Sequence, residues 1–249
     1  MVSFVSETIL RVGPFNITNT VLNTILVDAI IVIGAVHLSK GLKKVPSLFQ
    51  ALIETIIETF YNLSESVAPN RGKKIFPYVM SFFLFILIAN WSGLIPGVAS
   101  IGFFEHSGPH ENKFIPLLRP ATSELNTTLA LAIISSFATH MFAINTIGIK
   151  HYIGRYLSLS PINLFIGILE IISEITKVVS LSFRLFGNIF AGEVVLLTVS
   201  SIFAFLFPVP FLMLEVIVGI VQALVFSLLT MAFMAILSTP HEPKEVNTI

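Results

Sequence analysis

Five long hydrophobic segments determine the class of fold that this chain can adopt. A helix needs about 20 mainly apolar residues to cross the hydrocarbon of a bilayer, and each segment approaches or exceeds that length. Charged residues make up only 11% of the chain, against about a quarter of a typical soluble domain. We therefore expect an all-α integral membrane protein, a single membrane domain with about five membrane-embedded helices. The segments are residues 21–38, 76–98, 125–149, 160–206 and 211–237.

The fourth segment is too long for an ordinary membrane span. No proline lies between Pro161 and Pro208, and a helix from residue 160 to 205 would be roughly 69 Å long, against a hydrocarbon thickness of about 30 Å. A strong tilt is the favoured explanation; a bend at Gly187 or Gly192 and an extension beyond the bilayer are the alternatives. Because proline is costly inside a helix, we expect residues 207–210 to form a tight turn. The last two segments would then make a long, strongly tilted hairpin.

Residues 46–67 have the pattern of an amphipathic helix that lies in the membrane interface. At 100° per residue, apolar side chains cover most of this helix, and the polar side chains fall within one narrow arc. We expect the three glutamates of the arc to form its water-facing side. The arc comprises Gln50, Glu54, Glu58, Tyr61 and Glu65.

The distribution of basic residues predicts the orientation in the membrane. Lysine and arginine concentrate in residues 39–75 and 150–160, whereas residues 99–123 carry as many acidic as basic side chains. Basic loops favour the cytoplasmic or matrix side. We therefore expect residues 1–20 to lie outside and the polar tail, residues 238–249, to lie inside.

Several kinds of site are not expected in this chain. It has no cysteine, which excludes disulfides, thiolate metal sites and cysteine nucleophiles. His106, His110 and Glu111 lack a recognised metal-ligand spacing, so a solvated loop is expected there. The chain also lacks a Walker loop. We expect neither a metal nor a cofactor, and no nucleotide site on this chain.

Arg184 lies within one of the most apolar stretches of the chain. A guanidinium stays protonated at any accessible pH, and at the centre of a membrane helix it costs roughly 2.5–3.5 kcal/mol on translocon scales. Other polar side chains fall within about 40° of it at 100° per residue. One interpretation is a helix packed on a polar partner, with Arg184 neutralised by an internal glutamate; the favoured one is a path for protons or ions. The stripe comprises Glu170, Ser173, Lys177, Ser180 and Asn188, with Glu174 at its margin.

A second acidic set lies on the other side of Arg184 along the chain. Glu193 follows Arg184 by nine residues, and Glu215 shares one face of the last helix with Gly219 and Gln222. A hairpin centred on residues 208–210 would place Gln222 level with Glu193 and Glu215 nearer the outer surface. Two carboxylate sets separated by a permanent cation, which expels the proton of an approaching carboxyl group, indicate two half-paths that do not join.

Other polar residues in or beside the spans have simpler interpretations. His140 could join a path, but a hydrogen bond in the core is favoured. Glu124 and Asn126 are expected to cap a helix, and lining an outer vestibule is the alternative. Asp28 is expected to make a packing or subunit contact.

Four stretches of the chain resemble one protein family, subunit a of the F-type ATP synthases. The first is Ser182 to Glu193, with the sequence SFRLFGNIFAGE, and the second is Ile220 to Thr230 on the last helix. The others are Asn90 to Gly97 and Arg119 to Ala132. The order and spacing of these motifs match the family over roughly residues 20–240.

The resemblance implies roles for the polar residues. Arg184 would face the membrane carboxylate of the rotating c-ring, and Glu170 would mark the half-channel to the inside. Family members often carry histidine at one of the positions of Glu193 and Glu215, whereas this chain has glutamate at both. The half-channel from the outside would be lined by Glu193 and Glu215, with Asn188 and Gln222 nearby.

The resemblance also implies partners and a location. The partners would be the c-ring, the peripheral-stalk b subunits, the lipid bilayer and, indirectly, the catalytic headpiece; nucleic acid is not among them. The protein would be a multi-pass component of a bacterial plasma membrane, with an organellar inner membrane as the alternative. The choice between proton and sodium would depend largely on the c-ring.

Two other functions compete with this interpretation. A proton-coupled secondary transporter also has ionisable residues at mid-membrane, but such folds usually have repeated halves and broken helices, which the sequence lacks. A structural scaffold would hold Arg184 in an internal ion pair. Substitution of Arg184 distinguishes them, because it would abolish coupled proton flow, solute uptake or assembly, respectively.

Overall fold

The computed structural model describes residues 8–12, 15–95, 101–106, 112–156, 161–202 and 207–239. Within them, α1, α3, α4 and α7 are long and apolar enough to cross a membrane. Together with the long helix α6, they confirm the predicted all-α integral membrane fold. The helices are α1 Asn19–Lys40, α2 Leu48–Val67, α3 Gly72–Ser92, α4 Leu125–Ile147, α5 Ile149–Tyr156, α6 Pro161–Ile202 and α7 Pro208–Leu237.

Two short hairpins and one helical turn were not foreseen from the sequence. The strands β1 (Thr8–Val12) and β2 (Phe15–Thr18) pair antiparallel just before α1. The strands β3 (Gly102–His106) and β4 (Asn112–Pro116) pair antiparallel between α3 and α4. A 3₁₀ turn, Ala121–Ser123, precedes α4.

The connection between α6 and α7 corrects the predicted turn. Helix α6 ends at Ile202, and α7 already begins at Pro208, so residues 207–210 do not form the turn as predicted. Proline is costly only where its missing N–H would be needed, and the first four N–H groups of a helix have no partner within it. Pro208 and Pro210 therefore fit the first turn of α7. The centre of the hairpin moves towards Ile202, which changes which residues of α6 and α7 lie side by side.

Helix α6 is a single helical segment of 42 residues, which corresponds to about 63 Å at 1.5 Å per residue. The helical assignment continues through both glycines at which a bend was considered, Gly187 and Gly192. In the described part of the chain, a Cβ built at Gly187 has no atom within 4 Å beyond its own stretch of helix, whereas one built at Gly192 meets the carboxyl group of Glu215. Gly192 therefore has a packing role against α7.

The helices are held together by close packing of apolar side chains and by pairs of hydroxyl groups between helices. Helix α3 packs against α7, α2 and α1, and α4 packs against α6 and α7. Ser135 and Thr230 place their hydroxyl oxygens 2.8 Å apart between α4 and α7, and those of Thr128 and Ser182 are 3.2 Å apart between α4 and α6. Such pairs and close packing hold membrane helices together, because lipid is as apolar as the helix surfaces. The core includes Ile75, Val79, Ile86, Leu185 and Met234.

The bundle has two ends, named here from its last two helices. The turn end is where α6 ends and α7 begins, and the tail end is where α7 ends at Leu237. Arg71 marks the tail end, where its Nη1 donates to the carbonyl oxygen of Ser238 at 2.5 Å. At the turn end, Asn23 Nδ2 of α1 donates to Ser92 Oγ of α3 at 2.9 Å. These contacts bring the basic loop of residues 39–75 to the tail end.

Helix α2 lies at the tail end and packs against α3. The ring centroids of Phe60 and Phe83 are 4.6 Å apart. Glu54 and Glu58 are exposed, whereas Gln50 is buried and its amide nitrogen donates to the Lys43 carbonyl and to Glu54. The polar arc therefore includes one side chain that closes the loop before the helix instead of facing water.

Candidate functional site

Arg184 points away from the core of this chain. Arg184 is exposed on α6, whereas its neighbours Ser182 and Leu185 turn inward and are buried. Its Nη2 is 3.4 Å from Ser180 Oγ. Among the residues that the structure describes, no carboxylate forms a salt bridge with Arg184. This geometry argues against the internal ion pair that a scaffold would need.

An open groove runs from Arg184 along α6 towards the tail end. It has a volume of about 430 Å³ and lies between α6 and α7, with Arg184 at the extremity nearest the turn end. Its α6 wall carries Ser173, Lys177 and Ser180 of the polar stripe recognised in the sequence, and its α7 wall is apolar. The groove is lined mainly by Ser173, Thr176, Lys177, Ser180, Leu229 and Phe233.

A polar cluster lies beside this groove and joins three helices. Lys177 Nζ donates to Glu174 Oε1 at 2.7 Å, and the other carboxylate oxygen of Glu174 is 3.8 Å from His140 Nε2. The other ring nitrogen of His140, Nδ1, is 2.8 Å from the Tyr152 hydroxyl. His140 thus makes the expected hydrogen bond and also lies beside the charged pair of α6.

Helix α5 brings a second tyrosine to this cluster. Burial, with a hydrogen bond from Tyr152, raises the pKa of the Tyr156 phenol above its ordinary value, and the charges of Glu174 and Glu170 add to the effect. Gly167 permits the close crossing of α5 and α6, because a Cβ there would collide with the Tyr156 backbone. Glu170, predicted to mark the inner path, therefore lies beside the same cluster.

At the turn end, the two predicted glutamates lie together with a buried arginine. Arg119 Nη2 is 3.4 Å from Glu193 Oε2, and only 8% of Arg119 is exposed. Glu215 is 6% exposed, with its carboxyl group packed against Gly192, the neighbour of Glu193. Sequence reasoning used Arg119 only as a loop charge and as part of a motif, because a loop has no periodicity that would place its side chains.

The contact of Glu215 with Gly192 corrects the prediction of which residues of α6 and α7 lie side by side. Glu215 lies level with Gly192 and Glu193, not nearer the outer surface. Gln222 lies seven residues farther along α7, about 10 Å by helical rise, so it falls near the level of Leu185 and Arg184 rather than of Glu193. The prediction was wrong because the turn precedes Pro208.

Asn90 and Trp91 fill the space that Gly219 leaves on α7. Asn90 Nδ2 donates to the Gly219 carbonyl oxygen at 3.1 Å, and Trp91 Nε1 donates to the Val216 carbonyl oxygen at 3.3 Å. The Thr122 hydroxyl donates to Asn90 Oδ1 at 2.7 Å. Sequence reasoning noted Gly219 and the Asn90 motif separately, and nothing in either stretch indicated that they touch.

Glu124 occupies the N-cap position of α4, but its side chain does not cap the helix. Its carboxylate instead accepts hydrogen bonds from the Thr20 hydroxyl of α1 and from Asn126 Nδ2, the latter at 3.1 Å. The capping role expected for this residue is therefore wrong, and Glu124 links α1 to α4 at the turn end.

No group of three metal-ligating side chains occurs within the described part of the chain. Of the three loop residues considered for a metal, His110 and Glu111 lie outside the described residues, as do most of residues 1–20 before β2 and nearly all of the tail. Asp28 lies on an exposed face of α1, and Asn188 is exposed one turn from Arg184.

Comparison with known proteins supplies independent information. Residues 20–235 match the family model described as ATP synthase A chain. The chain is 33% identical to ATP synthase subunit a of Moorella thermoacetica over 227 residues, 91% of this chain and 94% of that protein. It is 37% identical to ATP synthase subunit a of Geotalea daltonii over 213 residues, 84% of this chain and 83% of that protein. With ATP synthase subunit a 2 of Pelobacter propionicus, the identity is 33% over 247 residues, 98% of each chain.

Proposed function

The chain belongs to the ATP synthase A chain family, and we propose that it is the stator that conducts protons through two offset half-channels. Arg184 carries this proposal. It is exposed on α6, with the open groove on its tail side and the half-buried Glu193 and buried Glu215 on its turn side. A fixed cation between two polar regions is the arrangement that two separated half-channels require.

The outward position of Arg184 favours a partner outside this chain. A guanidinium in an apolar environment is costly unless it is paired, and Ser180 is a neutral neighbour. The carboxylate of a rotating c-ring would supply the missing charge. Arg184 would attract the ionised carboxylate and expel its proton, and its own permanent charge would prevent direct proton leakage between the half-channels.

On the turn side, protons would pass Glu193 and Glu215 before they reach the ring. Glu193 lies nine residues from Arg184 along α6, about 13 Å by helical rise. Glu215 lies at the same level on α7. Asn188 lies between those levels and Gln222 lies near the level of Arg184, so both would offer polar side chains along the way. Glu124 and Asn126 lie at the turn end of α4 and would border the approach.

On the tail side, protons would leave through the groove. Its polar wall leads from Ser180 past Lys177. Lys177 pairs with Glu174, which lies beside His140, and Glu170 lies farther towards the tail end. These groups would accept protons in turn and deliver them to the basic loops.

The proposed location follows from the relatives and the loop charges. The relatives named above are bacterial proteins, which favours a bacterial plasma membrane, with residues 1–20 outside and residues 238–249 inside. The c-ring would contact α6 and α7, the b subunits would anchor the chain to the stalk, and nucleotide chemistry would occur on the headpiece. The helical continuity of α6 offers no support for a transporter with broken helices.

The experiment uses membranes that contain the whole complex, with Arg184→Ala, Arg184→Lys and wild type side by side. ATP-driven proton pumping and passive proton leak are recorded after blotting for assembly. We expect Arg184→Ala to assemble, to lose pumping and to increase the leak, and Arg184→Lys to leak less than Arg184→Ala because it keeps a cation. Lys150→Ala, which removes an exposed tail-end charge, serves as the control. Normal pumping by Arg184→Ala, or failure of that variant to assemble, would contradict the proposal.

A further inference from the structure

We propose that Arg119 is a positioning residue that holds Glu193 as a permanent anion, so that Glu215 alone carries the exchangeable proton on the turn side. The inference rests on the proposed function and deepens it, because it separates the roles of two glutamates that the sequence treats alike. Three relations carry it: the Arg119–Glu193 ion pair, the burial of Arg119 and Glu215, and the packing of Glu215 against Gly192.

The first relation concerns the charge of Glu193. Its carboxylate oxygen is 3.4 Å from Arg119 Nη2, and the two side chains are 22% and 9% exposed, respectively. An arginine cannot be neutralised by losing its proton, and a buried charge is tolerated when it has a charged partner. Protonation of Glu193 would leave Arg119 as a buried cation without this counter-charge. The pair therefore keeps Glu193 ionised.

The second relation concerns Glu215. It is more deeply buried than Glu193 and lies against the Gly192 backbone. Two neighbouring carboxylates disfavour simultaneous ionisation. With Glu193 ionised, Arg119 and Glu193 cancel, and the trio has a charge of zero when Glu215 is protonated and −1 when it is not. The site therefore binds one proton, and that proton belongs to Glu215.

The charged side chains near Glu215 lie on α6 and in the loop before α4. In the described residues, α6 contributes Glu193 and the loop before α4 contributes Arg119. Helix α3, which packs beside Glu215 on α7, presents the neutral side chains of Asn90 and Trp91 there. Among the described residues around Glu215, Arg119 is therefore the cation, and it balances one of the two acids.

The loop that carries Arg119 is built to hold it in place. Pro120 packs against Gly93 so closely that a Cβ on Gly93 would collide with the proline ring. The next three residues form the buried 3₁₀ turn, and Thr122 donates to Asn90 of α3. This packing fixes the backbone on the C-terminal side of Arg119, so the guanidinium is positioned before any proton arrives.

The proton balance of the step is simple. The Glu215 carboxylate takes a proton from a hydronium ion at the turn end, which leaves water and a carboxylic acid. It later gives that proton to the ionised carboxylate of the ring and becomes a carboxylate again. Glu193 remains a carboxylate, and Arg119 remains a guanidinium. No oxidant, reductant or metal takes part.

The test is a double-mutant cycle in membranes that contain the whole ATP synthase. The variants of the cycle are Arg119→Gln, Glu193→Gln and the double variant that combines them. Glu215→Gln is made in the wild-type and double-variant backgrounds, and Lys150→Gln is the control for loss of a surface charge. We expect each single change in the ion pair to lower ATP-driven pumping roughly tenfold, because it leaves the charge of the other partner uncompensated. The double variant should return to within about threefold of wild type, because it removes both charges together. Glu215→Gln should abolish pumping in either background.

A pH profile of pumping adds a readout that a purely structural role would not change. Arg119→Gln leaves two neighbouring carboxylates without their cation, so each holds its proton more strongly. Its profile should move to higher pH, and the profile of the double variant should return towards that of wild type. Arg119→Lys, which keeps the charge, should keep the wild-type profile.

The double variant decides the outcome. Assembly with recovered pumping supports the inference even where a single variant fails to assemble. A double variant that fails to pump or to assemble overturns it, because Glu193 or Arg119 then has a role that does not consist of balancing the other. Proton pumping by Glu215→Gln would also overturn the inference. If Arg184→Ala pumps normally, the proposed function itself fails; if Arg184→Ala loses pumping and the double variant is not rescued, only the present inference fails.

Discussion

Asn90 of α3 donates a hydrogen bond of 3.1 Å to the backbone carbonyl of Gly219, one helical turn along α7 from Glu215. The contact is possible because residue 219 has no side chain. A Cβ there would lie 3.3 Å from Asn90 Cβ and 3.4 Å from Trp91 Cδ1. Small residues allow membrane helices to approach closely enough for such bonds. This bond and the two next to it set the position of α7, and hence of Glu215, against α3.

Asn90→Ala should destabilise the bundle. The change removes the bond to Gly219 and leaves the Thr122 hydroxyl without its acceptor, and loss of buried hydrogen-bond partners costs about 1–3 kcal/mol. The measurement is the temperature at which half of the detergent-solubilised complex loses subunit association. Asn62→Ala, at an exposed position on α2, is the matched control. Equal midpoints for the two variants would show that the Asn90 bonds do not support the bundle.

Gly192→Ala should impair proton pumping through its effect on Glu215. The new methyl group would occupy the space of the Glu215 carboxyl group, and overpacking of this kind costs about 1–3 kcal/mol. We expect pumping to fall several-fold and to recover in part with Glu215→Asp, whose shorter side chain leaves room. Gly34→Ala is the control, because a Cβ at Gly34 would meet no other described residue within 4 Å beyond its own stretch of helix. Pumping by Gly192→Ala at the level of Gly34→Ala would contradict the close contact.

The groove on the tail side should be accessible to water. The chain has no cysteine, so single cysteines can be introduced without background labelling. Ser173→Cys and Thr176→Cys in the groove should react with a membrane-impermeant cationic methanethiosulfonate applied from the tail side, because thiolates form only where water can solvate them. Ser227→Cys, at a fully buried position on α7, should react at least roughly tenfold more slowly. Similar rates at the three positions would exclude an aqueous groove.

Much of the helical framework and the direction of Arg184 could be predicted from sequence, because both depend on local properties. The length of an apolar run decides whether it can cross a bilayer. Helical periodicity decides which residues share a face, and it gathered Ser173, Lys177 and Ser180 on the face of Arg184, where the groove lies. The family signature around Arg184 is also a local pattern, and the match over residues 20–235 confirms it.

The tertiary structure alone decided which of these faces meet. The pairing of Arg119 with Glu193 joins residues 74 positions apart, and one of them lies in a loop without periodicity. The level of Glu215 depended on where the hairpin turns, and two prolines misled the prediction because they suit the first turn of a helix as well as a loop. His140 meets Tyr152 and Glu174 because α5 folds back across α6 at Gly167. Periodicity acts within one helix, whereas the register between helices is set by packing among side chains that are distant in sequence.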